Sequence, residues 1–397
     1  MKSSYNILMY SHDTYGLGHI RRAMAIASNL RDPHINILIL TGSPIAGRFA
    51  FPDQIDFVRI PGMIKSTNEQ YLPLSIKINP EQALNIRKNI ITATAKTFRP
   101  HLFIVDKEPL GLKKEILPTL QWFRRSLPST RTIVGLRDIM DESSVIKSDW
   151  KKKRVYKVMD ELYNEIWVYG IQEFYDPIRE YSIPESVSRK MIFTGYIPRK
   201  VPNKKRLRKI KKKYAPRNGE KLVVVTAGGG GDGYGMMHAF LSMLESETRP
   251  PPFKSILITG PFMPKKQRDE IFERAKGLGI RTWQFYRRME EMLAAADLVV
   301  SMGGYNTVCE VLGHGTVSLI IPRETPRKEQ LIRAQVLHNQ HMVDFIPWNS
   351  CSSQILRKKV LDLLEHPEPY QEAISRFQLT GLDIMRQRLE AFRNKEL

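Results

Sequence analysis

Cysteine is almost missing: the 397 residues contain two, Cys309 and Cys351. Two thiols cannot staple a chain of this length and neither has a metal-ligand spacing, which excludes a disulfide scaffold and points to a reducing, cytoplasmic compartment. Long apolar runs are lacking as well. Nothing approaches the roughly 20 residues of a membrane span. The four-residue run after Met1-Lys2-Ser3-Ser4 is too short for a signal-peptide core. There is no repeat of fixed short period, and no Asp-x-Asp pair that would hold a divalent cation. Acidic residues are outnumbered, 41 Asp and Glu against 62 Lys and Arg, a net charge of +21. The remainder is ordinary for a soluble globular chain, 42% hydrophobic and 26% charged, and the length favours two domains.

Short apolar runs alternate with helical patterns through both halves. Asn6 to Tyr10, Ile35 to Leu40, Leu102 to Val105, Thr132 to Gly135, Ile166 to Tyr169 and Met191 to Thr194 read as buried strands of one parallel sheet. Leu222 to Val225, Ser255 to Ile258, Arg281 to Phe285, Leu298 to Val300, Val317 to Ile321 and Met342 to Phe345 read as a second. This predicts an α/β chain of two Rossmann-like domains. Proline, glycine and a lysine-rich run separate them. The expected organisation is a first domain over 1–199, a basic linker over 200–219, a second domain over 220–367, and a helical tail over 368–397 that crosses back to the first domain.

Three glycine turns follow strands. In the second half, Leu298 to Ser301 runs into Gly303-Gly304, which open a helix at the strand's carboxyl edge, where ligands of open α/β sheets bind. Glycine admits close backbone approach and a helix amino end carries partial positive charge, a pairing suited to a diphosphate. Further along that helix Glu310 is placed to accept both hydroxyls of a ribose. Thr226-Ala227 leads into Gly228-Gly229-Gly230-Gly231, a second candidate phosphate loop. Its G-x-G-x-x-G spacing is weak support for a dinucleotide, because no acidic residue follows Thr259-Gly260-Pro261 and no Lys-Ser/Thr closes a P-loop. In the first half, a turn containing Gly16 and Gly18 delivers His19 to a helix start. The helix's positive end opposes imidazolium formation there, leaving a lone pair for use as a base. His12 is a second candidate. Asp106 ends the strand Leu102 to Val105, where it would either orient His19 or act as the base itself. Glu108 and Asp138 read as local caps or salt bridges.

The run Gly304-Tyr305-Asn306-Thr307-Val308-Cys309-Glu310, with Gly315-Thr316, Pro322 and Glu329-Gln330, resembles the donor-binding stretch of GT-B glycosyltransferases, both plant-type UDP-sugar transferases and MurG-like enzymes. The resemblance covers roughly 220 to 340, plus the loop carrying His19. It implies two Rossmann-like domains facing each other across a cleft. Gly228 to Gly231, Gly303, Gly304, Asn306 and Thr307 would lie on the donor diphosphate and Glu310 on its ribose. Glu329 and Gln330 would hold the sugar hydroxyls, and Phe285 to Met289 would pack on the base. It further implies a UDP-sugar as co-substrate, no cofactor, no metal, and inverting transfer to an acceptor whose identity is not readable. Two departures stand out. Met302-Gly303 replaces a phosphate-binding His of the plant-type motif, so that contact falls to backbone amides or an Arg; and Arg333 stands where the family has Asn.

Basic runs at 151–154 and 204–213 invite a polyanion. The longer one has almost no aromatic residue for base stacking, which favours an anionic membrane surface, and hence a peripheral position at its inner face, over nucleic acid. Two rival readings are a non-hydrolysing sugar-nucleotide epimerase and a non-catalytic basic binding protein on the same fold.

Overall fold

A computed structural model describes residues 4–12, 18–48, 50–65, 71–199, 202–215, 217 and 219–395. The chain divides into two compact units, Met1–Ile197 with Thr380–Leu397, and Pro198–Leu379. The first contains β1 (Tyr5–Ser11), β2 (Ile35–Thr41), β3 (Ile55–Arg59), the antiparallel pair β4 (Met63–Lys65) and β5 (Tyr71–Pro73), then β6 (Leu102–Asp106), β7 (Arg131–Arg137), β8 (Glu165–Tyr169) and β9 (Met191–Phe193). Seven of these form one parallel sheet in the order β3-β2-β1-β6-β7-β8-β9. Its central strands are apolar along nearly their whole length because helices cover both faces, as in β6, where every residue is buried.

The second unit repeats the plan with β10 (Lys221–Thr226), β11 (Phe253–Ile258), β12 (Arg281–Trp283), β13 (Leu298–Ser301), β14 (Val317–Ile320) and β15 (Asp344–Phe345), all parallel in the order β12-β11-β10-β13-β14-β15. In each sheet the chain builds outward from a central strand in one direction and then returns to build in the other. The reversal falls between β1 and β6 in the first unit and between β10 and β13 in the second. At such a switch point the loops leaving the two neighbouring strands diverge, opening a crevice at their carboxyl ends. Asp106 and Gly18 lie at the first of these places, and the Gly228–Gly231 and Gly303–Gly304 turns at the second.

Two stretches differ from expectation. Residues 204–214 of the expected linker are a helix, Lys204–Tyr214, whose Asn203 cap accepts from the Lys205 amide at 2.8 Å. Leu207, Ile210 and Tyr214 fall on one side of it. It packs on the helix Met289–Ala295 and is tied there by Arg206 to Glu291 at 2.8 Å and Lys211 to Asp297 at 2.5 Å. Apolar packing and two ion pairs hold in place a segment whose charge reads as unstructured. The tail is divided. The helix Glu368–Ser375 belongs to the second unit, while Gly381–Lys395 belongs to the first, burying Met385, Leu389 and Phe392 and pairing Arg388 with Glu165. Among the described residues no helix is long and apolar enough to cross a membrane.

Candidate active site

At the first switch point β1 ends in Ser11, with His12 directly after it, and the helix Gly18–Leu30 has its Ile20, Ala23, Ile26, Ala27 and Leu30 buried at helical spacing. Gly18 is its first residue; Gly16 lies outside the described residues. His19 is thereby carried to the end of β6, where its Nδ1 is 2.5 Å from Asp106 Oδ2. One turn on, Arg22 grips the same carboxylate with both arms, Nε to Oδ1 at 2.8 Å and Nη2 to Oδ2 at 2.9 Å. The chain leaves Asp106 through Lys107 at φ +71, a left-handed conformation for a residue with a side chain, whose amide donates to Gly135 O at 2.8 Å.

Burial is the largest single influence on Asp106 and acts to raise its pKa, but the Arg22 guanidinium, His19 and the hydrogen bonds from both together outweigh it and hold the carboxyl well below its usual range. An ionised Asp106 only accepts, so the His19 Nδ1 must carry the hydrogen of their short contact, which leaves the lone pair on Nε2. Burial lowers the His19 pKa to about 4, against the pull of Asp106, so the ring is neutral at pH 7. His12 is neutral for the same reason, burial taking it to about 3. Its ring stands 5.8 Å from that of His19, edge to face. Its Nδ1 is 3.3 Å from the Tyr10 hydroxyl, which donates to Glu115 at 2.6 Å; Glu115 is clasped by Arg87 at 2.5 and 2.6 Å. Asp138 is fully buried and accepts from Tyr196 at 2.9 Å and the Ile139 amide at 2.7 Å, a local cap. Glu108 faces Lys107 at 3.8 Å.

At the second switch point the loop after β10 and the turn after β13 lie side by side: a Cβ on Gly228 would sit 4.0 Å from Thr307 Oγ1. Gly228 and Gly230 have φ of +63 and +95, and a Cβ on Gly230 would fall 2.2 Å from Thr259 O. Gly229 O accepts from the Phe262 amide at 2.9 Å. Part of the glycine content therefore lets this loop interlock with the one after β11, a reason invisible in the local sequence. Gly228 is exposed, with Gly229 and Gly231 half-buried beside it. Gly303 has φ +72, and a Cβ there would meet Ile320 Cγ2 at 2.7 Å. Gly304 caps the helix Tyr305–His314 without a side chain. Arg333 is fully buried and donates to Gly303 O at 3.0 Å, bracing this turn from within the fold.

Asn306 and Glu310 share one face of that helix, and Arg199 lies along it, Nη2 to Asn306 Oδ1 at 2.7 Å and Nε 4.0 Å from Glu310 Oε1. Glu310 is 1% exposed, deeper than its sequence position suggests. The sequence leaves the missing His contact to backbone amides or an arginine and does not single out Arg199, which stands at the end of the expected first domain. Glu329 and Gln330 begin the helix Glu329–Asn339, and both engage Arg323: its Nη2 donates to Glu329 at 2.7 Å and its amide to Gln330 Oε1 at 3.1 Å, while Nη1 reaches Asp232 of the glycine loop. Arg323 is the second basic residue the sequence did not reveal. Met289 is half-buried at the start of its helix and Phe285 is 50% exposed.

Two parallel sheets, each reversing direction at a central switch point, define a GT-B architecture. Solved GT-B structures cover almost the whole chain: Medicago truncatula UGT71G1 complexed with UDP-glucose aligns over 98% of both chains at a TM-score of 0.65 and 11% identity. Acinetobacter baumannii MurG aligns over 98% of this chain and 99% of its own at 0.62 and 12%. Residues 223–388 match the glycosyltransferase family 28 C-terminal domain. A UDP-N-acetylglucosamine–N-acetylmuramyl-(pentapeptide) pyrophosphoryl-undecaprenol N-acetylglucosamine transferase of Alkaliphilus oremlandii is 26% identical over 143 residues, 36% of this chain and 39% of that protein. The match thus spans about two-fifths of that relative's length. The chain is similar to MurG-like GT-B glycosyltransferases, with the sequence likeness concentrated in the second unit.

Proposed function

We propose that the chain transfers a sugar from a nucleoside-diphosphate sugar, UDP being the nucleotide of its relatives, to an acceptor hydroxyl or amine. The observation that carries this is the His19–Asp106 contact at 2.5 Å, a neutral imidazole with its tautomer fixed by an ionised carboxylate. His19 Nε2 takes the acceptor proton while the acceptor atom forms its bond to the anomeric carbon and the bond from that carbon to the diphosphate breaks. Asp106 orients the ring and stabilises the imidazolium formed, which makes His19 rather than Asp106 the base. A single displacement of this kind inverts the anomeric configuration.

On the second unit, the departing diphosphate is stabilised by the amide groups around Gly228 and by the helix amino end at Gly303-Gly304, with Asn306 and Thr307 beside them. Arg199 supplies the cation that the plant-type motif takes from His. Glu310 accepts the ribose hydroxyls once Arg199 turns toward phosphate, and Glu329 with Gln330 accepts the sugar hydroxyls. No cofactor or metal takes part, and the protein works at the inner face of a membrane, held by its basic surfaces. The test is to incubate the chain with a panel of nucleoside-diphosphate sugars and mixed acceptors, with and without EDTA. Transfer unaffected by EDTA, and lowered about 100- to 10,000-fold in His19→Ala, supports the reading. Conversion of UDP-N-acetylglucosamine to an epimer without acceptor would replace it with the epimerase.

A further inference from the structure

The His19–Asp106 pair needs no third member to fix a tautomer, yet a third is present. Arg22 is 2% exposed and holds both oxygens of the carboxylate. A guanidinium withdrawn this far from water is costly unless its partner geometry is good, and the two-armed grip on Asp106 is the geometry that suits it. Its Nη2 also stands 3.1 Å from His19 Nδ1. Both atoms are donors when Nδ1–H points at Asp106, so this approach is no hydrogen bond. It is a positive charge pressed against the ring.

We propose that Arg22 is a positioning residue that sets both the orientation and the basicity of His19. This rests on the transferase reading for its purpose, though not for its test. The fork fixes the plane of the Asp106 carboxylate, and through it the direction in which His19 Nε2 points. The charge offsets part of what Asp106 would otherwise do to the ring. An unpaired carboxylate at 2.5 Å would favour imidazolium and leave a good part of the base already protonated near neutrality. With Arg22 in place the net charge next to the imidazole is close to zero, which leaves burial, the largest influence, free to keep the ring's lone pair well into acid. Other groups facing His19 among the described residues are His12 directly after β1 and Lys107 after Asp106, with Glu108 and Arg87 nearer His12. Lys107 acts in the same sense as Arg22 but more weakly, so the larger effect belongs to Arg22. On its far side Arg22 lies 5.7 Å over the Tyr169 ring. Tyr169 fits there because residue 135 is glycine: a Cβ on Gly135 would fall 1.7 Å from the Tyr169 hydroxyl oxygen.

The experiment follows the His19 ring by NMR in the full-length wild type, Arg22→Met and Arg22→Lys, alongside kcat/KM against pH. Charge and fork separate in the two variants. In Arg22→Met the His19 titration midpoint rises by about one pH unit or more, a tenfold change in proton affinity, and the acid limb of kcat/KM moves with it. Arg22→Lys keeps the charge and loses the fork: its midpoint stays within about half a unit of wild type while kcat falls about ten- to a hundredfold from misdirection of the ring. A midpoint unmoved in Arg22→Met overturns the proposal, as does a midpoint in Arg22→Lys shifted as far as in Arg22→Met, since either would leave Arg22 only a structural tie. If Arg22→Met fails to fold, Arg22→Lys decides, and an unchanged kcat there overturns it. A wild type that transfers no sugar overturns the transferase reading alone, because the NMR midpoints still decide whether Arg22 governs His19.

Discussion

Acid should loosen the first unit in a graded and calculable way. His12 and His19 are both buried and neutral, with folded pKa values of about 3 and about 4 against 6.5 for an ordinary imidazole. In the unfolded chain both rings take up a proton as the pH drops through 6.5; in the folded chain neither does so until far lower. Protons therefore favour the unfolded state over that interval. The stability they remove is nil above pH 6.5, grows as pH falls, and stops growing once the folded values are reached. Each pH unit in the window corresponds to about 1.4 kcal/mol per ring. At pH 5.0, 1.5 units below 6.5, each ring has removed about 2 kcal/mol and the two together about 4. That is a large part of the 5–15 kcal/mol typical of a domain. Hydrogen exchange at the amides of β1 and β6 reads the opening of this unit separately from the other. After correction for intrinsic exchange, protection between pH 7.5 and 5.0 should fall about a thousandfold, the equivalent of about 4 kcal/mol. A His12→Gln, His19→Gln double variant should lose less than about tenfold over the same range. Protection independent of pH in the wild type, or an equally steep fall in the double variant, would refute the argument.

Three further outcomes are expected. Asp106→Asn places an amide nitrogen against either Arg22 or His19 and leaves the buried guanidinium short of charge; about 3 kcal/mol of stability and about 100- to 10,000-fold in kcat/KM should be lost, and a variant of near wild-type activity would exclude Asp106 as orienter. Gly303→Ala sets a methyl 2.7 Å from Ile320 Cγ2 on a φ of +72. Calorimetry should show a destabilisation of about 1–3 kcal/mol together with weakened UDP binding, and an unchanged melting point would mean the turn relaxes freely. Glu310→Gln should raise the Kd for UDP about tenfold or more while leaving deoxyribose analogues less affected, by titration calorimetry; equal affinity for UDP would remove the ribose from this carboxylate.

The site was legible where function and local structure use the same residues. Leu298 to Ser301 followed by Gly303-Gly304 announces a buried strand, a tight turn and a helix start within seven positions, and the structure has all three. His19 and Asp106 were legible as a helix-start and a strand-end group, with Asp106 read as orienting His19 or acting as the base itself. Their partner Arg22 was not, because Arg22 and Asp106 are 84 residues apart and a single sequence does not encode which of many basic residues turns inward. Arg199 and Arg323 escaped for the same reason. Charge also concealed structure: in the helix Lys204–Tyr214 the spacing of Leu207, Ile210 and Tyr214 is helical, but eight basic residues around it read as solvated linker. Strand β3 was missed because Ile55–Arg59 is short and lies at the sheet edge with only one residue fully buried, so it lacks the continuous apolar run of its neighbours.

The helix Gly381–Lys395 completes the first unit from the far side of 182 intervening residues. During translation the emerging β1 to β9 segment must wait, with the surface destined for Met385, Leu389 and Phe392 uncovered, until the whole of the second unit has left the ribosome. A ribosome stalled before residue 380 would display a first unit short of its last helix.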